Sequence, residues 1–405
     1  MTDLTPQTSP GTDQPDRRIL VPALGVTQIL AWGSSYYLLG VLAAPIAADT
    51  DWSLAWVVGG LSIGLLAAGL VSPRIGGLIE RHGGRNVLAA SALLLSAGHA
   101  MLAMAWSLPV YIAAWVTMGL GMGAGLYDAA FATLGRIYGM AARGSITTLT
   151  LFGGLASTAC WPLSALLVAH LGWRGACLTY ALAQMAFALP LYRIVLPRRP
   201  PPLAGIATAP ASAHGRAGTA RRRPLLLLLA GSVTVSTMIS GAVSVHLLTM
   251  LQARDISLAA AVALGAMVGP SQVAARAIEM AIGRYHHPVW TMLGSALLVA
   301  FGLAVLWSGL PWLGLGLVLY GAGIGIESIA RGTVPLALFG AEGYAALMGR
   351  LALPSLVAQA LSLWSAAFLL DRLGAQGLLD ALLAAAALKV ALAAALVVMS
   401  APARR

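Results

Sequence analysis

The chain alternates long apolar runs with short polar connections. Each run has the roughly 20 residues that an α-helix needs to cross a bilayer. Six runs are predicted in the first part of the chain, at 19–47, 52–73, 86–106, 109–137, 146–170 and 175–196. Six more follow, at 225–251, 257–283, 288–308, 311–338, 349–370 and 376–400. The stretch between the two sets is rich in Pro, Ala, Gly and Arg and lacks an apolar period, which indicates a flexible linker.

This pattern predicts an all-α membrane protein with twelve transmembrane helices in two pseudo-symmetric six-helix bundles. The predicted order is a tail, an N-terminal bundle, a linker, a C-terminal bundle and a second tail, at 1–18, 19–196, 197–224, 225–400 and 401–405. Because the first tail is polar and contains proline, we expect a disordered cytoplasmic segment rather than a signal peptide.

Composition excludes a soluble fold. Of the 405 residues, 59% are hydrophobic and 9% are charged, and the mean hydropathy is +0.85. A soluble protein of this size needs more charge to cover its surface, so most of the chain must face lipid or other apolar helices. The net charge of +11 does not indicate nucleic-acid binding, because the basic residues lie in connections between apolar runs.

Few residues carry catalytic or metal-binding chemistry. Cys160 and Cys177 both fall in predicted helices and give neither a disulfide framework nor metal-ligand spacing. The sequence has no GxSxG or HExxH motif, and its only lysine, Lys389, lies in a predicted helix rather than in a phosphate-binding loop. We therefore predict no enzyme activity, no cofactor and no metal.

The basic residues predict the orientation. Of the 24 Lys and Arg residues, 18 fall in segments on the side that holds both termini. The loops on the other side hold Arg174, Arg254 and Arg372, and the remaining three basic residues lie inside helices. Cytoplasmic loops carry such an excess, so we predict a multi-pass protein of a bacterial-type inner membrane with both termini in the cytoplasm.

An internal repeat supports two related halves. Residues 121–133 read GMGAGLYDAAFAT and residues 321–333 read GAGIGIESIARGT, with three glycines and the last threonine in register. The connections LGWRG at 171–175 and LGAQG at 373–377 also match. Repeated halves of a transporter place the substrate path at their interface, near the middle of the bilayer.

The segment GGLIERHGGR at 76–85 resembles the helix 2–3 signature of the major facilitator superfamily, with Glu80 where Asp is usual. The resemblance implies a secondary transporter that works by alternating access. Charged groups at helix ends would then form a gate whose bridges break when the halves rock apart. The predicted coupling and gating residues are Glu80, Arg81, Arg85, Asp128, Glu279, Arg284, Glu327 and Arg331.

Two further stretches resemble the branch of that superfamily that holds monocarboxylate transporters and oxalate/formate antiporters. They are DTDWSLAWVVGGLS at 49–62 and VHLLTMLQARDISLAAAVAL at 245–264. In that branch a helix 8 arginine is associated with carboxylate binding, and Arg276 resembles it, with Gln272 where Asp is common. The internal repeat instead aligns Arg276 with Gly77 in the gate signature, so a ligand role and a gate role both stay open.

Helices 1 and 7 line the cavity in the superfamily, and both carry polar residues on one face. The predicted substrate contacts are Gln28, Trp32, Ser35, Tyr36, Ser236, Ser240, Gln272 and Arg276. The alternative is that the hydroxyls bond to backbone carbonyls and the aromatic rings pack against neighbouring helices.

Charges at membrane depth are costly unless paired or hydrated. We predict that Asp128 pairs with Arg81 or Arg85, and that Glu327 pairs with Arg276 or Arg284. Alternatively, Glu327 or Asp128 binds a proton that is coupled to transport. Lys389 is expected to face a neighbouring helix or to snorkel.

The leading functional hypothesis is a secondary active transporter for a small organic solute. The resemblance implies a monocarboxylate or another organic anion, coupled to protons or to a counter-anion. The expected partners are membrane lipid, the solute and protons, with the protein active as a monomer. Two alternatives stay open: an efflux pump for a toxic hydrophobic or inorganic compound, and a membrane sensor or scaffold that transports nothing.

Overall fold

The computed structural model describes residues 15–198, 216–309 and 311–400. Most of the two predicted tails and most of the predicted linker therefore lie outside the described residues. The first nine helices are α1 Arg17–Ser34, α2 Leu39–Thr50, α3 Leu54–His82, α4 Gly84–Ala103, α5 Leu108–Gly125, α6 Tyr127–Tyr138, α7 Ala142–Gly154, α8 Ala156–Ala183 and α9 Leu189–Val195. The others are α10 Arg216–Gln252, α11 Leu258–Gly265, α12 Val268–Ile282, α13 Pro288–Trp307, α14 Leu313–Phe339 and α15 Tyr344–Ser400. The described residues contain no β-strand.

Nine stretches of the described chain are long and apolar enough to cross a membrane. Two sharp turns divide the stretch Leu108–Val195, and one divides the stretch Tyr344–Ser400, which gives twelve membrane-crossing rods. The helix α10, which contains the seventh rod, begins at Arg216. It therefore extends into the segment 197–224 that was predicted to be a linker. Ala and Arg have high helix propensity and favour this extension, whereas the linker was predicted from the Pro and Gly content of the whole stretch and its lack of an apolar period.

The corners of the two halves repeat in their backbone conformation. Gly172 inside α8 and Gly374 inside α15 have φ values of 69° and 71°, and each turns one rod into the next. They belong to the matching connections LGWRG and LGAQG. Asp51 and Asp255, after the first and seventh rods, have φ values of 56° and 61°. Left-handed backbone is tolerated by glycine and aspartate, which explains these residue types.

Four rods predicted as continuous helices are broken part-way along. The first rod has a break of four residues, 35–38, between α1 and α2. The fourth and fifth rods break at Leu126 and Leu155, and the eighth breaks between α11 and α12. A break frees backbone groups that need partners inside a membrane. Hydrophobic period alone does not reveal breaks this short, because apolar residues continue through them.

Glycine runs let the rods pack with their backbones close together. A side chain at Gly119 of α5 would meet the backbone of Gly64 in α3. In the second half, a side chain at Gly302 of α13 would meet the backbone of Gly316 and Tyr320 in α14. Small residues at helix crossings are the usual means of packing membrane helices.

The turns define two faces of the bundle. We call the basic face the side that holds Gly83, Gly139–Ala141, Gly283–Tyr285 and Gly340. The opposite face holds the left-handed turns that include Asp51, Gly172 and Gly374. The basic face carries most of the arginines of the connections, as the sequence pattern indicated. The halves meet along α3 and α15, where Gly76 and Gly349 contact each other through their backbones.

Candidate functional site

Arg276 of α12 is the central cation of the site, and its side chain is only 5% exposed. Its Nε donates to the Gly325 carbonyl oxygen at 3.1 Å and to Ser328 Oγ at 3.0 Å. Its Nη1 donates to the Thr150 carbonyl oxygen at 3.2 Å, and its Nη2 to Gln272 Oε1 at 3.4 Å. All four acceptors are neutral, and none of the ion pairs formed by described residues includes Arg276.

The guanidinium of Arg276 lies where the two halves meet. Thr150 belongs to α7 in the first half, whereas Gly325 and Ser328 belong to α14 in the second. Gly154, beside the break in the fifth rod, leaves the space for the guanidinium: a Cβ at that position would lie 2.1 Å from Nη1. A single buried charge without a counter-ion is unfavourable, so this position favours an anionic ligand.

Aromatic side chains of the first half form a wall next to Arg276. Trp32 contacts Tyr127, with ring centroids 4.9 Å apart, and Tyr36, with centroids 5.4 Å apart. Tyr127 also donates to the Thr150 carbonyl oxygen at 3.2 Å, so it shares that acceptor with Arg276.

A cleft of about 430 Å³ lies toward the opposite face, between the first and fifth rods. It is lined by Gly40, Val41, Ser157, Thr158, Trp161, Pro162 and Ala165. Trp161 Nε1 donates at 3.2 Å to the carbonyl oxygen of Tyr37, within the break of the first rod, and this oxygen also accepts from the Gly40 backbone N–H. Small-molecule sites are typically apolar clefts of a few hundred Å³ with a few polar groups.

The predicted substrate contacts have different surroundings. Trp32, Tyr36, Gln272 and Arg276 lie at the interface or along the aromatic wall. Gln28 supports them: its Nε2 donates to the Gly125 carbonyl oxygen at 2.7 Å, and its Oε1 accepts from Trp32 Nε1 at 3.2 Å.

The three predicted serines are less clearly placed in the site. Ser35 Oγ donates to the Ala31 carbonyl oxygen of its own rod at 2.6 Å. This agrees with the alternative prediction that the hydroxyls bond to backbone carbonyls. Ser236 is buried in α10, and Ser240 lies one turn further along the same helix. A substrate role for each of these residues stays a prediction.

Several site residues were not predicted from the sequence. Thr150 supplies the carbonyl oxygen to which Tyr127 and Arg276 both donate, and Ser328 Oγ also accepts from Arg276. Gln359 of α15 donates to Tyr36 Oη at 3.0 Å and so joins the two halves at the aromatic wall. Tyr127 comes two residues after the glycine run, and Gln359 is the only amide side chain of the eleventh rod, so both carried a signal.

Asp128 pairs with Arg331, and the predicted pairing with Arg81 or Arg85 is wrong. The two side chains form a two-pronged bridge, with Nε to Oδ1 at 2.9 Å and Nη2 to Oδ2 at 2.7 Å. Arg331 also donates to Ser355 Oγ at 3.0 Å. Asp128 lies in the first half and Arg331 in the second, so this pair ties the halves together.

Glu80, Gly84 and Arg85 of the segment 76–85 recur as Glu279, Gly283 and Arg284 in the second half, and the two glutamates are bonded differently. Glu80 Oε2 accepts from the backbone N–H of Ala345 at 3.0 Å, and so caps the start of α15 in the other half. Glu279 stays within its own half, where Oε1 accepts from Thr291 Oγ1 at 2.7 Å and faces His286 Nε2 at 3.2 Å.

Arginines of the basic face bond mainly to neutral groups. Arg143 donates to the carbonyl oxygens of Gly283 and His286, which again joins the two halves. Arg85 donates to the Arg193 carbonyl oxygen at 3.1 Å, whereas Arg284 bonds to its neighbour Tyr285. Burial and the nearby charge of Arg143 lower the pKa of His287, in the connection before α13, below its usual value.

Glu327 pairs with Lys389, and the predicted pairing with Arg276 or Arg284 is wrong. Glu327 Oε2 lies 3.1 Å from Lys389 Nζ and accepts from Ser295 Oγ at 2.8 Å. Lys389 is fully buried, so it does not snorkel and instead faces the neighbouring helices. Glu327 and Arg331 lie one turn apart on α14, yet they pair with different rods.

The sequence matches the Major Facilitator Superfamily over residues 24–350, and the chain belongs to that superfamily. Its members are transporters rather than enzymes, and the fold and the site between the halves agree with secondary transport. No curated protein matches the sequence.

Solved structures of transporters share the fold. The human organic anion transporter MFSD10 (TETRAN) is 19% identical, with a TM-score of 0.72, and the match covers 94% of this chain and all of that one. The transporter FucP in its outward conformation is 11% identical, with a TM-score of 0.74 and coverage of 94% and 99%. The proton:xylose symporter XylE is 12% identical, with a TM-score of 0.65 and coverage of 92% and 94%.

Proposed function

We propose that this chain transports a small organic anion whose acidic group binds Arg276 between the two halves. The observation that carries the proposal is a deeply buried guanidinium whose acceptors are all neutral. Arginine binds carboxylates and phosphates in a two-pronged geometry, and burial strengthens such a pair. An anion would supply the counter-charge that Arg276 lacks.

The surroundings of Arg276 favour a substrate with one acidic group and an apolar body. Trp32, Tyr36, Tyr127 and Trp161 offer aromatic surface, and the cleft beside Trp161 has room for a small molecule. A monocarboxylate with an aromatic or branched body combines these features. One fold neighbour is itself an organic anion transporter, which agrees with this class.

Alternating access follows from how the halves touch. Their polar bridges run from the Tyr36–Gln359 bond through Arg276 and Thr150 to the basic face. Closure of that face and entry from the opposite side correspond to one end state of a transport cycle. With both termini in the cytoplasm of a bacterial-type cell, this state faces outward, as FucP does in the compared structure.

Uptake into proteoliposomes tests the proposal. The purified protein is reconstituted and given a panel of labelled monocarboxylates, benzoate among them, with pH gradients and voltages imposed in turn. We expect uptake of at least one member, and a loss on the order of 100-fold in Arg276→Gln, because the charge that holds the anion is removed. Arg372→Gln, on the opposite face, is the matched control and should transport normally.

A glycine pair tests the site without removing its charge. Gly154→Ala places a methyl group against the Arg276 guanidinium, whereas Gly144→Ala in the same helix meets nothing within 4 Å. We expect a raised KM for the anion in Gly154→Ala only. Uptake that is unchanged in Arg276→Gln, or no uptake of any anion in the panel, contradicts the proposal. Export of a hydrophobic toxic compound would then favour the efflux alternative.

A further inference from the structure

Three side chains from three rods of the second half form a buried cluster that the anion site does not use. Glu327 of α14 lies with Oε2 3.1 Å from Lys389 Nζ of α15 and 2.8 Å from Ser295 Oγ of α13. Lys389 Nζ also donates to Ser295 Oγ at 3.2 Å. The other carboxylate oxygen, Glu327 Oε1, is buried and has no hydrogen-bond partner among the residues that the structure describes. We call these residues the triad.

The identity of the cation in the triad is informative. The chain has 24 basic residues, and Lys389 is the only lysine among them. Arginine stays charged at every physiological pH, whereas a buried lysine or its carboxylate partner exchanges protons readily. The gate bridge between Asp128 and Arg331 uses arginine. The triad thus joins the single lysine of the chain to a carboxylate that has one oxygen, Oε1, without a bond to any described residue.

The triad is mechanically connected to the anion site through one short stretch of α14. Gly325 and Ser328, on either side of Glu327, accept from Arg276. Arg331, one turn further on, holds the bridge to Asp128. A helix advances about 1.5 Å per residue, so these four positions span only about 9 Å of the helix axis. The same rod segment therefore contacts the anion site, the triad and the closure of the basic face.

We propose that the triad is the binding site of a proton that is transported together with the anion. The proton adds to Glu327 Oε1, the oxygen without a partner, and gives a neutral carboxylic acid. Glu327 Oε2 remains an acceptor for Ser295, and Lys389 keeps its own proton. The coupling to the anion rests on the proposed function of Arg276, whereas the proton site itself does not.

The balance of charge inside the membrane explains why binding of the anion and binding of the proton are coupled. Without ligand, Arg276 carries one positive charge and the ionised triad carries none overall. With an anion on Arg276 and a proton on Glu327, the anion site is neutral and the triad carries the one positive charge. Each step alone changes the charge of the membrane interior, and the two together leave it unchanged, which is the less costly path.

The charged groups that face Glu327 are few. Among the described residues, Lys389 faces it from α15 and α13 contributes the neutral Ser295. Arg276 of α12 bonds to Gly325 and Ser328, the residues two before and one after Glu327 on α14. Arg331 on the same helix is already paired with Asp128 of α6. The bound anion therefore acts on Glu327 chiefly by cancelling Arg276.

Infrared difference spectroscopy tests the proton site without any substrate. Reconstituted protein is taken from alkaline to acidic pH, and the carbonyl stretch of protonated carboxylic acids is recorded. We expect a band that shifts when the glutamates carry carbon-13, since the chain has only four glutamates. The band should vanish in Glu327→Gln and persist in Asp371→Asn, an exposed carboxylate near the opposite face.

Removal of one partner of a buried pair can prevent folding, so a second variant is needed. Glu327→Gln with Lys389→Met removes both charges together and should fold and lack the band. A glutamate band that persists in these variants, or no glutamate band in the native protein, overturns the proton site.

Benzoate tests the coupling separately. Its addition should make the Glu327 band form at higher pH in the native protein and leave the band unchanged in Arg276→Gln. If the band forms at the same pH with and without benzoate in the native protein, the proposed coupling to anion binding is overturned, whereas the proton site is still supported. Benzoate uptake that is unaffected by a pH gradient would contradict symport while supporting anion transport.

Discussion

The two faces of the bundle are held together in different ways. On the basic face, the bridge between Asp128 and Arg331 and the capping bond from Ala345 to Glu80 both cross between the halves. On the opposite face, Asp49 pairs with Arg174 within the first half. The Trp307 indole likewise donates to Asp380 within the second half, at 2.6 Å.

This difference indicates which contacts must change during transport. Bonds within a half survive when the halves rock as rigid bodies, whereas bonds between halves break. Trp364 reaches toward Gly59 near the opposite face, but this contact is apolar and adaptable. The basic face is thus the locked end in this state, and substitutions there should shift the balance between the two end states.

The largest effect is expected from Asp128→Asn. It leaves Arg331 without its counter-ion while both side chains are 16% exposed. Loss of one partner should destabilise the closed basic face by about 2–3 kcal/mol, on the order of a 100-fold shift in the populations. The measurement is labelling of a Ser72→Cys reporter, on the α3–α15 seam, with an impermeant maleimide in vesicles of both orientations.

The native cysteines, Cys160 and Cys177, are replaced by alanine in all these variants to leave a single reporter. Asp128→Asn combined with Arg331→Gln removes both charges and should recover much of the closure, because no buried charge stays unpaired. Reporter labelling that is equal in the native protein and in Asp128→Asn would show that this bridge does not hold the face closed.

A smaller effect is expected from a methyl group in the seam between the halves. A Cβ at Gly76 would lie 2.4 Å from the Ala345 carbonyl oxygen and 3.0 Å from Gly349 Cα, and backbone atoms yield little. Overpacking of this kind costs about 1–3 kcal/mol, so Gly76→Ala should also open the basic face. Gly77→Ala is the matched control, because its Cβ meets nothing within 4 Å. Equal labelling in the two variants would contradict the proposal that close packing at Gly76 keeps the basic face closed.

A weaker effect should follow from Glu80→Gln, which keeps an acceptor for Ala345 but removes the negative charge at the start of α15. A charge at a helix N-terminus contributes about 0.3–1 kcal/mol, so the reporter should be labelled a few times faster. Glu279→Gln is the control from the other half, since its bonds stay on one side of the interface. A larger increase in labelling from Glu279→Gln than from Glu80→Gln would mean that Glu279, and not Glu80, helps to hold the basic face closed.

The sequence predicted the fold well because the relevant signals are local. Apolar runs, the excess of arginine on one side and matching motifs such as LGWRG and LGAQG each depend on neighbouring residues. The matching left-handed glycines, Gly172 and Gly374, show that the repeat extends to backbone conformation. The breaks in the first, fourth, fifth and eighth rods were missed because they are short and the apolar pattern continues through them.

The partners of the buried charges were less predictable. Asp128 and Glu327 were correctly predicted to lie inside helices, but the partner predicted for each of them was wrong. Their actual partners, Arg331 and Lys389, lie on rods brought close only by the packing of the bundle. Spacing within one helix identifies shared faces but does not say which helix lies opposite them. Arg276 was identified by resemblance, and its lack of a counter-ion required the structure.

The smallest effect is expected on the opposite face, from Asp49→Asn. Both partners of the Asp49–Arg174 pair are more than 40% exposed, so water screens the charges and the bond contributes little. The pair also lies within one half, so its loss should change neither the Ser72→Cys labelling nor the balance of the end states. Increased labelling comparable to that of Asp128→Asn would mean that the halves are coupled through the internal packing of each half. The distinction between contacts within a half and contacts between halves would then fail.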